Sequence, residues 1–81
     1  MGLKARVTVS LKPGVLDAQG KAVAGALTEL GFAGVREARV GKVIELDLDA
    51  SDRAGAEADV KAMCEKLLAN SVIENYQIEI A

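Results

Sequence analysis

Few residues of this chain could do chemistry, and their types bound what that chemistry is. The 81 residues contain no histidine and a single cysteine, Cys64. Histidine is the usual general base near neutral pH and the commonest metal ligand. Without it, Ser–His and Cys–His nucleophile pairs cannot be built, and a zinc site would need several cysteines. Cys64 falls with Met63 on the apolar stripe of a predicted helix, which is the setting of core filler. A reactive thiolate needs exposure and a lowered pKa. Asp47 and Asp49 share one face of a predicted strand and have the form of a general acid/base pair. They lie at an open strand end, where a solvated edge is the simpler reading. Arg36, Arg39 and Lys42 form the only local positive cluster. They suit either a solvated hairpin tip or pairing with the carboxylates of a partner protein, and they are the candidate docking residues. No catalytic, cofactor-binding or metal-binding residue stands out, which points away from a self-sufficient enzyme.

Composition sets the frame in which these residues are held. Apolar residues make up 51% of the chain and charged residues 27%, the balance of one globular domain over residues 1–81 rather than of disorder. Aromatics are limited to Phe32 and Tyr76. Such a core stabilises weakly, so self-association or another partner is an expected supplement. The net charge of −2, with both signs interspersed, lacks the basic face of a nucleic-acid binder. No run approaches a membrane span. Residues 1–10 alternate lysine and arginine with apolar residues, unlike the apolar block of a signal peptide. A lone cysteine excludes an internal disulfide and fits a reducing compartment. The cytoplasm is the expected location.

Periodicity supplies the elements. From Leu3 to Leu11, odd positions are apolar and even ones polar, the pattern of a half-buried strand. Pro13-Gly14 ends it. Asp17 is a predicted helix N-cap, with Val23, Ala26, Leu27 and Leu30 on one helical face and Gly31-Phe32 as a Schellman ending. A second extended segment, Val35 to Val40, meets a turn at Gly41-Lys42. A third strand follows at Val43 to Asp49. Ser51 or Asp52 caps a second helix whose stripe is Ala56, Val60, Met63, Cys64 and Leu67. The last strand is Ile73 to Ile80. The order is β-α-β-β-α-β, and right-handed crossovers would place both helices on one face of an antiparallel sheet, a ferredoxin-like α+β arrangement. Open strand edges and the uncovered sheet face then invite self-association.

Known uses of this architecture make checkable demands. An RNA-recognition module stacks bases on aromatics of its central strands, where this chain has Val7, Val9, Ile44 and Leu46. Metal carriage needs paired cysteines near the first loop, which here reads Lys12-Pro13-Gly14-Val15-Leu16. An acylphosphatase-like phosphate cradle needs a fixed arginine and free amides there, and Pro13 removes one amide. Gly14 and Gly20 lack the Gly-Lys-Ser/Thr ending of a phosphate loop.

Three stretches together are more specific than their parts: Leu11-Lys12-Pro13-Gly14-Val15-Leu16-Asp17-Ala18-Gln19-Gly20, Val40-Gly41-Lys42-Val43-Ile44-Glu45-Leu46, and Met63-Cys64-Glu65-Lys66-Leu67-Leu68-Ala69-Asn70 running into Val72-Ile73-Glu74-Asn75-Tyr76. In this order and spacing the chain resembles PurS, the small-subunit family of bacterial and archaeal phosphoribosylformylglycinamidine (FGAM) synthase. The resemblance covers nearly the whole chain. It departs from the usual pattern at Ala18 and Ser71, where proline is common. It implies a noncatalytic subunit in purine (IMP) biosynthesis that works as a dimer or tetramer. Such a subunit bridges a glutaminase subunit and an ATP-dependent synthetase subunit and assists ammonia transfer between them. ATP and magnesium would belong to the synthetase subunit. The alternative is a regulatory amino-acid-binding module of the same β-α-β-β-α-β order.

Overall fold

The computed structural model describes residues 2–81. The alternating segment at the start of the chain becomes β1 (Gly2–Leu11), the central strand of a three-stranded antiparallel sheet. It is flanked by β2 (Lys42–Asp49) and β3 (Glu74–Ile80). Register brings the apolar rows together, since Val7 lies opposite Ile44 and Ile78, and Ala5 opposite Leu46 and Ile80. Ala5, Val7 and Val9 are buried on this face. On the other face Lys4 stands opposite Asp47, and Arg6 stands between Glu45 and Glu79. Opposite charges therefore face each other across the ladder, where like charges would destabilise it.

The second helix, α2 (Arg53–Met63), starts at Asp52, whose carboxylate accepts from the amides of Ala54 and Gly55. It packs over β1 and β3. Ala56, Val60 and Cys64 are buried as the stripe requires, whereas Met63 and Leu67 are 38% and 83% exposed. For Leu67 the cause is a π turn at Cys64–Leu68, closed by the Ala69 amide donating to the Cys64 carbonyl at 3.0 Å. An i→i+5 turn holds one residue more than an α turn. Leu67 is carried outward, and Leu68 and Ala69 complete the core instead. Tyr76 also joins that layer, and the Glu65 carboxylate beside its hydroxyl pushes the phenol pKa up.

The first helix, α1 (Ala18–Glu29), has the expected caps. Asp17 is its N-cap, and at its end Phe32 donates to the Leu27 carbonyl and Gly31 to that of Thr28. Gly31 takes φ of 103°, a conformation that a Cβ would strain.

The antiparallel sheet and the two helices are those expected, and two parts of the arrangement differ. The segment 35–40 joins no ladder, so the sheet has three strands and Arg36, Arg39 and Lys42 do not form a hairpin tip. The α1 helix does not pack on the sheet beside α2, because residues 35–40 add no strand for it to cross over to and the next strand, β2, runs antiparallel beside β1. A chain returning antiparallel needs no crossover, so residues 12–41 run out past the strand ends and come back. The long axis of 49 Å accordingly exceeds the ~33 Å that a ten-residue strand spans.

Two substitutions test these assignments. Ala18 is the first helical residue, and Asp17 before it is extended at φ −102° and ψ 93°, a conformation that tolerates a following proline. Ala18→Pro is expected to stabilise the chain by about 0.4–1 kcal/mol in chemical denaturation; a loss of stability would move the helix start. Burial, helped by the neighbouring Glu65 carboxylate, pushes the Cys64 thiol pKa up. Alkylation near neutral pH should therefore be slow until the chain is unfolded, and Cys64→Ala should cost roughly 1–2 kcal/mol from the small cavity it leaves.

Candidate functional site

The chemistry-bearing residues converge where β1 runs out into the α1 connection. Asp17 is 7% exposed. One carboxylate oxygen accepts from the Gly20 amide at 2.7 Å, which caps α1, and the other accepts from the Val40 amide at 2.7 Å. A single side chain thus ties the start of α1 to the segment that returns to β2. The Val40 and Gly20 amides hold its carboxyl below the usual carboxylate range, with help from the Arg39 guanidinium, while burial pulls the other way. Gly20 permits the close approach. A Cβ there would lie 2.1 Å from the Ala38 carbonyl oxygen.

Arg39 braces the same corner from outside. Its Nη1 donates to the Val15 carbonyl at 3.2 Å, and its Nη2 to the carbonyls of Lys12 at 3.2 Å and Leu11 at 3.4 Å. These contacts satisfy carbonyls at the end of β1 and in the loop after it. They also explain why residues 35–40 form no strand: Val40 gives its amide to Asp17, and Ala38 packs against Gly20.

The three candidate docking residues therefore separate in role. Arg36 and Arg39 line one cleft of about 220 Å3 with Leu16, Lys21 and Asp17. Lys42 lines a second, of about 260 Å3, with Gln19, Glu74 and Asp17. Asp17 forms part of the wall of both. Arg36 and Lys42 are exposed and present their charges to solvent, whereas Arg39 is engaged with the backbone. Both clefts fall short of the ~300–1,000 Å3 of typical small-molecule sites. Asp47 and Asp49 are exposed on β2, opposite Lys4 and Gly2. Among the described residues no group of three or more potential ligands could hold a metal ion, and no helix is long and apolar enough to cross a membrane. The tie from Asp17 to Val40 is the feature that sequence reasoning missed. Its partner lies 23 residues away, and no local pattern signals it.

A small α+β module of this kind presents surfaces for contact with other chains. The PurS family model, described as phosphoribosylformylglycinamidine (FGAM) synthase, matches residues 4–81. The PurS subunit of phosphoribosylformylglycinamidine synthase from Synechocystis is 52% identical over 75 residues, which is 93% of this chain and 75% of that one. The Bacillus subtilis PurS subunit is 51% identical over 77 residues, 95% of this chain and 90% of its own. A solved B. subtilis PurS structure superposes with a TM-score of 0.88 at 49% identity, covering 98% of both chains. A chain of the Thermotoga maritima PurLQS structure superposes at 0.89 with 31% identity, covering 100% of this chain and 99% of that one. The chain belongs to the PurS family.

Asp17→Asn tests the tie at the centre of this corner. An amide can accept from one of the two N–H groups but presents its own NH2 to the other. The variant should melt roughly 4–8 °C lower near neutral pH, the shift expected for about one lost hydrogen bond in a domain of this size. Because the folded-state pKa is depressed, the wild-type advantage is complete above the ordinary carboxylate range and is lost as pH falls through the folded value. The two melting curves should therefore converge below about pH 4. An undiminished gap at lower pH would remove the ionised carboxylate from this role.

Proposed function

We propose that this chain is the noncatalytic small subunit of FGAM synthase in purine biosynthesis, a self-associating bridge between the glutaminase and synthetase subunits that assists ammonia transfer between them. The observation that carries the reading is the end-to-end match to a chain of the T. maritima PurLQS structure. Family membership over residues 4–81 supports it. The physical character of the chain supports it as well. Its buried apolar residues are small, Ala5, Val7, Val9, Ala56, Val60, Cys64 and Ala69, while larger apolar side chains such as Leu16, Leu30, Phe32, Leu67 and Val72 remain exposed. In this reading ATP and magnesium act on the synthetase subunit, ammonia is released on the glutaminase subunit, and this chain contributes position rather than reacting groups. Its soluble work belongs in the cytoplasm. Arg36 and Lys42 are its docking charges, and Arg39 holds the corner that carries them.

Reconstitution tests the bridge. The chain is mixed with a glutaminase subunit and a short-form synthetase subunit of matching type, and synthesis is assayed with glutamine and with ammonia separately. The glutamine-dependent rate should require this chain, whereas high free ammonia should largely bypass it. Equal dependence of both rates on the chain, or of neither, would refute the bridging role. Arg36→Glu combined with Lys42→Glu should weaken assembly roughly tenfold and steepen its loss with salt, leaving the melting temperature of the isolated chain unchanged. Normal assembly by that double variant would make the cluster a solvated surface.

A further inference from the structure

We propose that the cleft at the open end of the sheet, between Lys42 and Glu74, binds a free α-amino acid with a short polar side chain, held by its carboxylate and its ammonium. The inference goes beyond the bridging role and does not rest on it. The last residues of β1 lie between the first residues of its two neighbours, since Lys42 stands opposite Val9 and Glu74 opposite Leu11. Directly paired residues of a ladder point to the same face, and so do residues two apart along a strand. Lys42 and Glu74 therefore rise from one face, and both line the cleft of about 260 Å3 that Asp17 helps to wall. Two strand spacings and a two-residue offset put their Cα atoms about 12 Å apart. Side chains rising together from that separation fall short of the ~4 Å of an ion pair. Their charges are left for a ligand that carries both signs. With a charge-assisted bond of ~2.8 Å at each end, a zwitterion spans roughly 8 Å, which suits the gap that remains as the two side chains lean inward.

The rest of the cleft is made for such a ligand. Glu74 is held in place, because its Oε1 accepts from the Asn70 amide at 2.7 Å and its own amide donates to the Asn70 carbonyl at 2.7 Å. The second carboxylate oxygen remains for an ammonium. Asp17 competes little for it, since its oxygens accept from the Gly20 and Val40 amides. Gly41 presses the start of β2 against β1, where a Cβ would lie 2.7 Å from the Val9 carbonyl oxygen. Val9 and Leu11 lie between the two charges, and Gln19 offers a carboxamide that donates and accepts, matching a polar side chain. A volume below the ~300–1,000 Å3 of drug-sized sites suits a ligand of about ten non-hydrogen atoms. A phosphoryl group would meet the Glu74 carboxylate, and a bare cation would meet the Lys42 ammonium. The three stretches that carry the family resemblance also converge here. Leu11 and Gln19 come from the first, Gly41 and Lys42 from the second and Glu74 from the third. Docking through positive charge accounts for Lys42 but not for Gln19 or Glu74.

The test titrates serine, asparagine and glutamine separately into the isotope-labelled full chain and follows its amides by NMR. Lactate, which lacks the ammonium, and ethanolamine, which lacks the carboxylate, are titrated in parallel. At least one amino acid should shift the amides of residues 40–42 and 74 with a Kd of about 0.1–1 mM, the range open to so small a ligand. Both analogues should bind at least ~10-fold more weakly, because each loses one charge-assisted contact. Lys42→Met and Glu74→Gln should each weaken the amino acid at least ~10-fold, and Glu74→Gln can keep the Asn70 contact through its amide oxygen. Lactate that binds as well as the amino acids would reduce the cleft to an anion site and overturn the proposal. Binding that survives both substitutions would do the same. So would residues 40–42 and 74 that stay silent to every amino acid at about 10 mM, whether or not a partner subunit then shifts them. If circular dichroism shows that a variant does not fold, the analogue comparison on the wild type decides.

Discussion

The corner around Asp17 is the constraint from which the rest of the molecule follows. A carboxylate that caps a helix ordinarily acts within one turn of its own position. Here its second oxygen accepts the Val40 amide, so the start of α1 and the entry to β2 share one anchor. Gly20 allows the backbone at Ala38 close enough for this, and Arg39 donates to the carbonyls at the exit from β1. With both ends of residues 12–41 held at the same corner, α1 is directed away from the sheet. An ion-assisted tie is favoured at such a place because the amides stabilise the charged form, which keeps a nearly buried carboxylate ionised.

What the corner withholds from the sheet shapes how the chain works. Among the described residues α2 and the π turn after it cover the apolar face, and the buried hydrophobic side chains are alanines, valines and one cysteine. Little apolar area leaves water on folding, and side chains large enough to supply more remain outside, among them Leu30, Phe32 and Leu67. The chain is thus a poor candidate for a solitary existence and a good one for an assembly. Membership of the PurS family and the match to a chain of a PurLQS structure agree with that physical character.

Local pattern made most of the elements legible. The alternation at Leu3–Leu11, the caps at Asp17 and Asp52 and the Schellman ending at Gly31-Phe32 all rest on contacts within a few residues, and all are present. Val35–Val40 had the composition of a strand, but its hydrogen-bonding groups and close contacts go to Asp17 and Gly20, partners that no short window contains. Leu67 stood at helical spacing from Val60 and Cys64, yet the π turn changes the period after Cys64, and its stabilising closure at Ala69 depends on how the chain enters β3. The charges at Arg36, Arg39 and Lys42 were visible as a cluster, while the division between a bracing Arg39 and exposed neighbours was not.

By itself, then, the sequence determined two helices and the strands at 2–11, 42–49 and 74–80, most of their apolar faces, the absence of histidine chemistry, and the family through motifs spread over almost the full length. These follow from side-chain type and short-range periodicity, which act before the chain is folded. Tertiary structure alone decided that residues 35–40 join no ladder, that α1 lies off the sheet, and that one of the three clustered cations, Arg39, is committed to the backbone. Those outcomes turn on which distant groups claim a given amide or carbonyl. Residues 17 and 40 meet only after residues 18–39 have looped out and returned, so the bond that sets the architecture has no local signature.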